Sequence, residues 1–189
     1  MPTVKDRGCC NDSLFFYMKG LIMSSSVLRL YEINDDYIQY LVDVDDKIAQ
    51  TKIENRTQSR KYIGILFEIN GLNYFANLSS YKPKHNKMKE TIDFIKIGTY
   101  AVINLNNMLP VINGQEKMID FNNITDIKYR SLLQKEARII SKKAVQIIKN
   151  AKIVYNHKTT KGNETSLDKR CCDFKALELA ANKYLSQNT

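Results

Sequence analysis

The chain has 189 residues, 43% of them hydrophobic and 26% charged, which suits one globular domain with or without appendages. No apolar run approaches the roughly 18 residues that a spanning helix requires. SLFFYMKGLIM at 13–23 is short, broken by Lys19 and Gly20, and lacks a secretory layout, so a membrane protein is excluded and a cytoplasmic location is expected.

Residues 1–26 read as an N-terminal extension of uncertain order ahead of a single domain at 27–189, with Met18 and Met23 as candidate natural starts. SVLRLYEIN, from Ser26 to Asn34, alternates as a strand does. Asn34 is placed to cap a helix predicted over 35–48, where Ile38, Leu41, Val42 and Ile48 share a face and Asp35 and Asp36 suit the first turn. After a polar stretch come two strand-like runs flanking Asn70-Gly71, a strong hairpin signal because both turn positions need positive φ. Tyr74 and Phe75 in the second run are expected in the sheet core. That run closes on Ser79 and Ser80, and Lys82, Lys84, His85, Lys87 and Lys89 follow before the first acid, Glu90.

Short strands are predicted around FIKI, AVINL and LPVI, with Pro110 marking a bend or an edge. A long helix is predicted over 125–155, with Leu133, Ile140, Ala144, Ile147, Ala151 and Val154 at helical spacing. Gly162 and Asn163 lie in a loop before a last amphipathic helix over 165–185. The order of elements gives an α+β fold: a small, strongly twisted antiparallel sheet or half-open barrel surrounded by helices.

The net charge of +9 is unevenly spread. Residues 27–75 hold six Lys/Arg against eight Asp/Glu, whereas 126–161 hold ten against two. A field so polarised favours a polyanion, nucleic acid ahead of an acidic membrane surface; a solvated basic helix face is the plainer alternative. The four cysteines stand as adjacent pairs, Cys9–Cys10 and Cys171–Cys172, without metal-ligand spacing, and are expected to be free thiols. No metal and no cofactor is called for.

YIGILFEINGLNYFANLSSYKPKHNKMK, followed by IDFIKI and AVINLNNMLPVI, resembles the ToxN/AbiQ family of type III toxin–antitoxin endoribonucleases, most closely its CptN-like branch. LYEINDDYIQYL matches the family's first strand and helix, so the resemblance covers roughly residues 27–155. It implies a fold like that of the MazF and Kid toxins and metal-independent cleavage of RNA to a 2′,3′-cyclic phosphate. It also implies inhibition by a small, structured, pseudoknot-type RNA, which the toxin processes from a repeat precursor and with which it forms a ring-like or symmetric assembly. Cellular and phage RNA would be the substrates, and growth arrest or abortive infection the outcome; neither membrane nor DNA is an expected partner.

The resemblance places Ser80 and Lys82 on the family's key serine and lysine, Ser79 on a Ser/Thr position, Tyr37 on an active-site tyrosine and His85 on a common loop histidine. Asn77 and Tyr81 stand where proline is common, and a second active-site tyrosine has no counterpart; Arg56 or Arg60 occupies its region. RNA carries its own nucleophile, so cleavage needs alignment, charge stabilisation and proton transfer rather than a protein nucleophile. Ser80 suits positioning, Lys82 electrostatics or proton donation, and Tyr37 stacking or hydrogen bonding. An unperturbed imidazole titrates at about pH 6.5, so His85 is a candidate acid–base; the general base stays open. Lys84, Lys87, Lys89, Arg56, Arg60, Lys128, Arg130, Lys135, Arg138, Lys142 and Lys143 are expected to bind phosphates. A non-catalytic RNA-binding module is the competing reading, with a DNA-binding regulator behind it.

Overall fold

The computed structural model describes residues 27–48, 60–161 and 165–187. The extension at 1–26, with Cys9 and Cys10, and Arg56 lie outside them. The elements in order are β1 (Arg29–Ile33), α1 (Asp35–Val42), β2 (Lys61–Gly64), β3 (Glu68–Ile69), β4 (Leu72–Ser80), β5 (Phe94–Ile97), β6 (Ala101–Val111) and β7 (Glu116–Met118). Then come α2 (Ile127–Lys161), α3 (Ser166–Arg170) and α4 (Phe174–Gln187). The strands form one antiparallel sheet in the order β5-β6-β4-β2-β1-β7, with β3 on β4. The expected α+β class holds, and the sheet is open, with β5 and β7 at the ends of its path.

The local signals explain most elements. Asn70 and Gly71 have φ of 53° and 79°, so the β3–β4 turn takes the form that the Asn-Gly pair specifies. Asn34 Oδ1 accepts from the Asp36 amide at 2.8 Å and the Tyr37 amide at 3.3 Å, capping α1. Asp126 does the same for α2, accepting from the Lys128 and Tyr129 amides at 2.9 and 3.1 Å. Each of the six apolar positions predicted on α2 is buried.

α2 runs to Lys161 instead of 155, the run before Asn70-Gly71 is split into β2 and β3, and three further boundaries differ from expectation. The first helix stops at Val42 instead of 48, because acids at a helix C-terminus oppose its dipole. Asp45 is taken instead by the amides of Lys47 and Asp173, at 3.0 and 2.6 Å. AVINL and LPVI merge into the single strand β6, which runs through Pro110. β5 pairs only with residues 101–104, so at Pro110 β6 has β4 as its one neighbour and the missing amide costs no second ladder. The last helix is broken at 171–173, where the Cys172 amide donates to Asn106 O at 2.9 Å and draws the chain onto β6.

α4 is tied to the sheet through a buried polar knot. Tyr74 and Tyr155 hydroxyls both donate to Glu178 Oε1, at 2.9 and 2.6 Å, and Lys175 Nζ donates to Oε2 at 2.9 Å. Tyr74 and Phe75 are in the core as expected, and Cys171 and Cys172 are buried free thiols, Cys171 pushed up to about 11 by burial. Among the described residues no helix is long and apolar enough to cross a membrane.

Gly64 sits where a Cβ would overlap the fully buried Phe75 ring. Gly64→Ala is therefore expected to lower the unfolding free energy by about 1–3 kcal/mol in urea denaturation, with partial recovery when Phe75→Leu is added.

Candidate active site

The site grows out of the end of β4. Ser79 pairs with Val102 and Ser80 with Ala101, and the Tyr81 amide donates to Tyr100 O at 3.0 Å, one rung beyond the strand. Lys82 remains extended, with φ −124° and ψ 156°. Side chains two apart on extended backbone share a face. Ser80 and Lys82 therefore lie on one side, and Ser79 and Tyr81 on the other. A serine followed two residues later by lysine needs only the pleat to become a cluster.

The register identifies each side. Lys61, Leu78, Ile103 and Ile95 stand in one row across β2, β4, β6 and β5. Lys61 Nζ lies 5.8 Å from the Tyr129 ring centroid on α2 and pairs with Glu32, so this row and Ser80 share the α2 side. On the opposite side Ser79 Oγ accepts from Arg60 Nη1 at 3.3 Å and from Asn77 Nδ2 at 3.1 Å. The two adjacent hydroxyls thus serve different faces: Ser80 is exposed, while Ser79 is half-buried and already bonded.

Beyond Lys82 the chain makes a 3-10 turn, Pro83–Asn86. Lys82, Lys84, Lys87 and Lys89 are all exposed, but His85 keeps only 6% of its surface. Its Nδ1 accepts from the Lys82 amide at 3.0 Å. Burial, then the charges of Lys84, Lys82 and Lys96, hold its pKa below the ordinary 6.5. The loop's acid, Glu90, accepts from Lys143 Nζ at 2.9 Å and the Lys96 amide at 2.7 Å. Asp93 accepts from Arg170 Nε and Nη2 at 2.7 and 2.9 Å. The loop's exit is pinned while its lysines face solvent.

α2 packs against the same end of the sheet. Lys135 Nζ lies 5.9 Å from the Tyr100 ring centroid, and Ile139 packs at Gly98. Tyr100 is 37% exposed, next to the residue that pairs with Ser80. The same helix turn carries Glu136, 5% exposed and without a hydrogen bond or ion pair among the described residues. Neither residue was a candidate from sequence. Tyr100 carried no signal in a turn among eleven tyrosines, and Glu136 carried only the weak one of an acid on a helix's apolar stripe.

Other candidates fall elsewhere. Tyr37 has no exposed surface; its hydroxyl donates to Pro110 O at 2.9 Å, and burial raises its pKa. Its ring meets Tyr184 of α4 edge-on at 5.0 Å, so the tyrosine expected at the site is packed between the sheet and α4 here. Lys143 is half-buried and spent on Glu90 and on Lys96 O. Lys128, Lys135, Arg138 and Lys142 are exposed on α2, and Arg130 is partly so. Tyr81, where proline is common in the family it resembles, donates a backbone bond that proline could not make, and its hydroxyl donates to Asn86 Oδ1 at 3.0 Å.

Residues 29–182 match the family model described as Toxin ToxN, type III toxin-antitoxin system. The chain belongs to this family. It is 31% identical over 121 residues to Endoribonuclease ToxN of Pectobacterium atrosepticum, covering 60% of this chain and 71% of that protein. It is 30% identical over 167 residues to Endoribonuclease ToxN of Bacillus thuringiensis subsp. kurstaki, covering 82% and 84%. A solved structure from work on selective toxin inhibition by a non-coding RNA pseudoknot superposes with a TM-score of 0.72 at 27% identity, covering 84% of this chain and 98% of that one.

In this ToxN-family chain, burial alone pushes the Glu136 carboxyl from 4.5 up to about 7. The folded state holds that proton more tightly than the unfolded state, so stability falls as pH rises from 4.5 through 7. Glu136→Gln removes this dependence. Between about pH 5 and 8 the wild type should lose about 2 kcal/mol more stability than the variant, read from paired urea titrations.

Proposed function

We propose that this chain is the endoribonuclease toxin of a type III toxin–antitoxin system, acting in the cytoplasm. It cuts RNA by attack of the 2′-hydroxyl on the adjacent phosphate, leaving a 2′,3′-cyclic phosphate and a 5′-hydroxyl. A small, pseudoknot-type RNA, processed by the toxin from its repeat precursor, holds it inactive in a closed assembly, and its release brings growth arrest or abortive infection. The observation that carries this reading is the placement of Ser80 and Lys82 on one side of a strand end, beside exposed lysines that pair with no acid among the described residues.

The chemistry needs little more. Ser80 donates a hydrogen bond to the scissile phosphate and holds it in line. The Lys82 ammonium meets the negative charge that builds on the phosphorane-like transition state, where a fixed cation counts most. A cation already occupies the position at which a metal ion would otherwise serve. Arg60 and Ser79 brace the neighbouring strand from the opposite face. Lys84, Lys87 and Lys89 grip flanking phosphates, and Tyr100, with Lys135 across its ring, offers a stacking surface for an unpaired base. Lys128, Lys135 and Lys142 recur every seven residues on α2, about 10.5 Å apart along the axis, and give structured RNA a second basic surface.

With purified toxin freed of RNA, a short unstructured RNA should be cut in the presence of chelator, leaving cyclic phosphate ends. Ser80→Ala and Lys82→Ala should each reduce kcat by about 100-fold or more while RNA binding changes little. A wild type that binds RNA and never cuts it would make the chain a binding module. The chain has no tryptophan, so Tyr100→Trp supplies a single reporter. Its fluorescence should be quenched by an uncleavable 2′-deoxy-substituted oligonucleotide, and unchanged emission would remove Tyr100 from the cleft.

A further inference from the structure

We infer that His85 is a positioning residue for Lys82, holding the lysine's backbone in place rather than exchanging protons with RNA; this rests on the reading of Lys82 as the site's cation. Two bonds close a ring across the turn: the Lys82 amide donates to His85 Nδ1 at 3.0 Å, and the His85 amide donates to Lys82 O at 2.8 Å. The Tyr81 amide is held by Tyr100 O at 3.0 Å, and Pro83 carries no amide and a fixed φ. Lys82 is thereby locked on both sides in the extended conformation that puts it on the Ser80 side.

The imidazole is built in as a wedge. Its ring stands edge-on to Tyr81 at 5.3 Å and tilted against the buried Phe94 at 5.7 Å. Accepting at Nδ1 fixes the neutral tautomer with its proton on Nε2. Nδ1 is therefore not available to take a proton from RNA. Protonating it would turn the acceptor into a donor facing the Lys82 N–H, and the ring across the turn would open. The charged groups around it are Lys82 and Lys84 from the turn and Lys96 from β5, all cationic, while the Tyr81 hydroxyl is bonded to Asn86. They oppose a further positive charge, so the latch stays closed through the neutral range and opens on the acid side.

Replacement by Asn and by Ala separates holding from proton exchange, because Asn Oδ1 stands about as far from Cβ as Nδ1 does and accepts a hydrogen bond without titrating. With folding checked by circular dichroism, His85→Ala should lose about tenfold or more in kcat with KM nearly unchanged. His85→Asn should stay within about threefold of wild type and lose the fall in activity expected of the wild type on the acid side. An Asn variant as inactive as the Ala variant, or an Ala variant as active as wild type, overturns the inference. Ring-nitrogen NMR of the wild type reads the latch without any turnover. A neutral ring protonated on Nε2, with Nδ1 hydrogen-bonded until acid titration, supports it even if the protein cuts no RNA, in which case the endoribonuclease reading is what fails. A ring carrying its proton on Nδ1 overturns the latch.

Discussion

The hydrogen bond from the Tyr81 amide to Tyr100 O carries the β4–β6 ladder one residue past Ser80, and the geometry of the cleft depends on it. While the backbone stays extended, side chains alternate, and Ser80 and Lys82 are delivered to the same side by the pleat alone. Were the chain to leave the sheet at Ser80, the direction of Lys82 would be set by a loop with no such rule. The rung also joins the lysine-bearing segment to Tyr100 on the facing turn. Proline at 81 could not make this bond; here an amide does by pairing what a rigid ring would do by restricting φ.

Concentrating lysines beside that rung costs stability through their mutual repulsion, and the surrounding structure shows how the cost is offset. Among the described residues no acid pairs with the loop's exposed lysines. The loop is held at its two ends, by the buried His85 wedge at the start and by Glu90 and Asp93 at the exit, which bind Lys143 of α2 and Arg170 of α3. The acids that could have quenched the patch are thus committed to distant partners, and the field stays open to an anionic ligand. Such a division, with stability supplied at the margins and charge left free in the middle, is what a polyanion-binding site requires.

How much of this could be read in the sequence depended on the range of the interaction. The Asn70-Gly71 turn, the α1 cap and the buried stripe of α2 follow from neighbours within a turn or two, and each stands where the pattern placed it. Three of the misplaced boundaries involve remote partners. Asp45 ends α1's continuation by bonding the Asp173 amide, Cys172 breaks the last helix by reaching Asn106, and Pro110 survives inside β6 because β5 is too short to pair there. The candidate site divides in the same way. Ser80 and Lys82 were legible as a spacing of two, whereas Ser79 shares their stretch and turns to Arg60 on the other face.

By itself the sequence determined the periodic elements, the basic character and the ordered motifs that mark the family, because a pleat of two, a helical turn of 3.6 and a run of charges are properties of neighbouring residues. Only the tertiary structure decided which of those side chains remain within reach of a ligand. Tyr37 is spent on Pro110, 73 residues away, Lys143 on Glu90, 53 away, and the Nδ1 of His85 on a local amide in a ring wedged against Phe94. Tyr100, silent in the sequence, meets Lys135 because α2 crosses the end of the sheet there. Availability is a property of partners, and partners are chosen by folding.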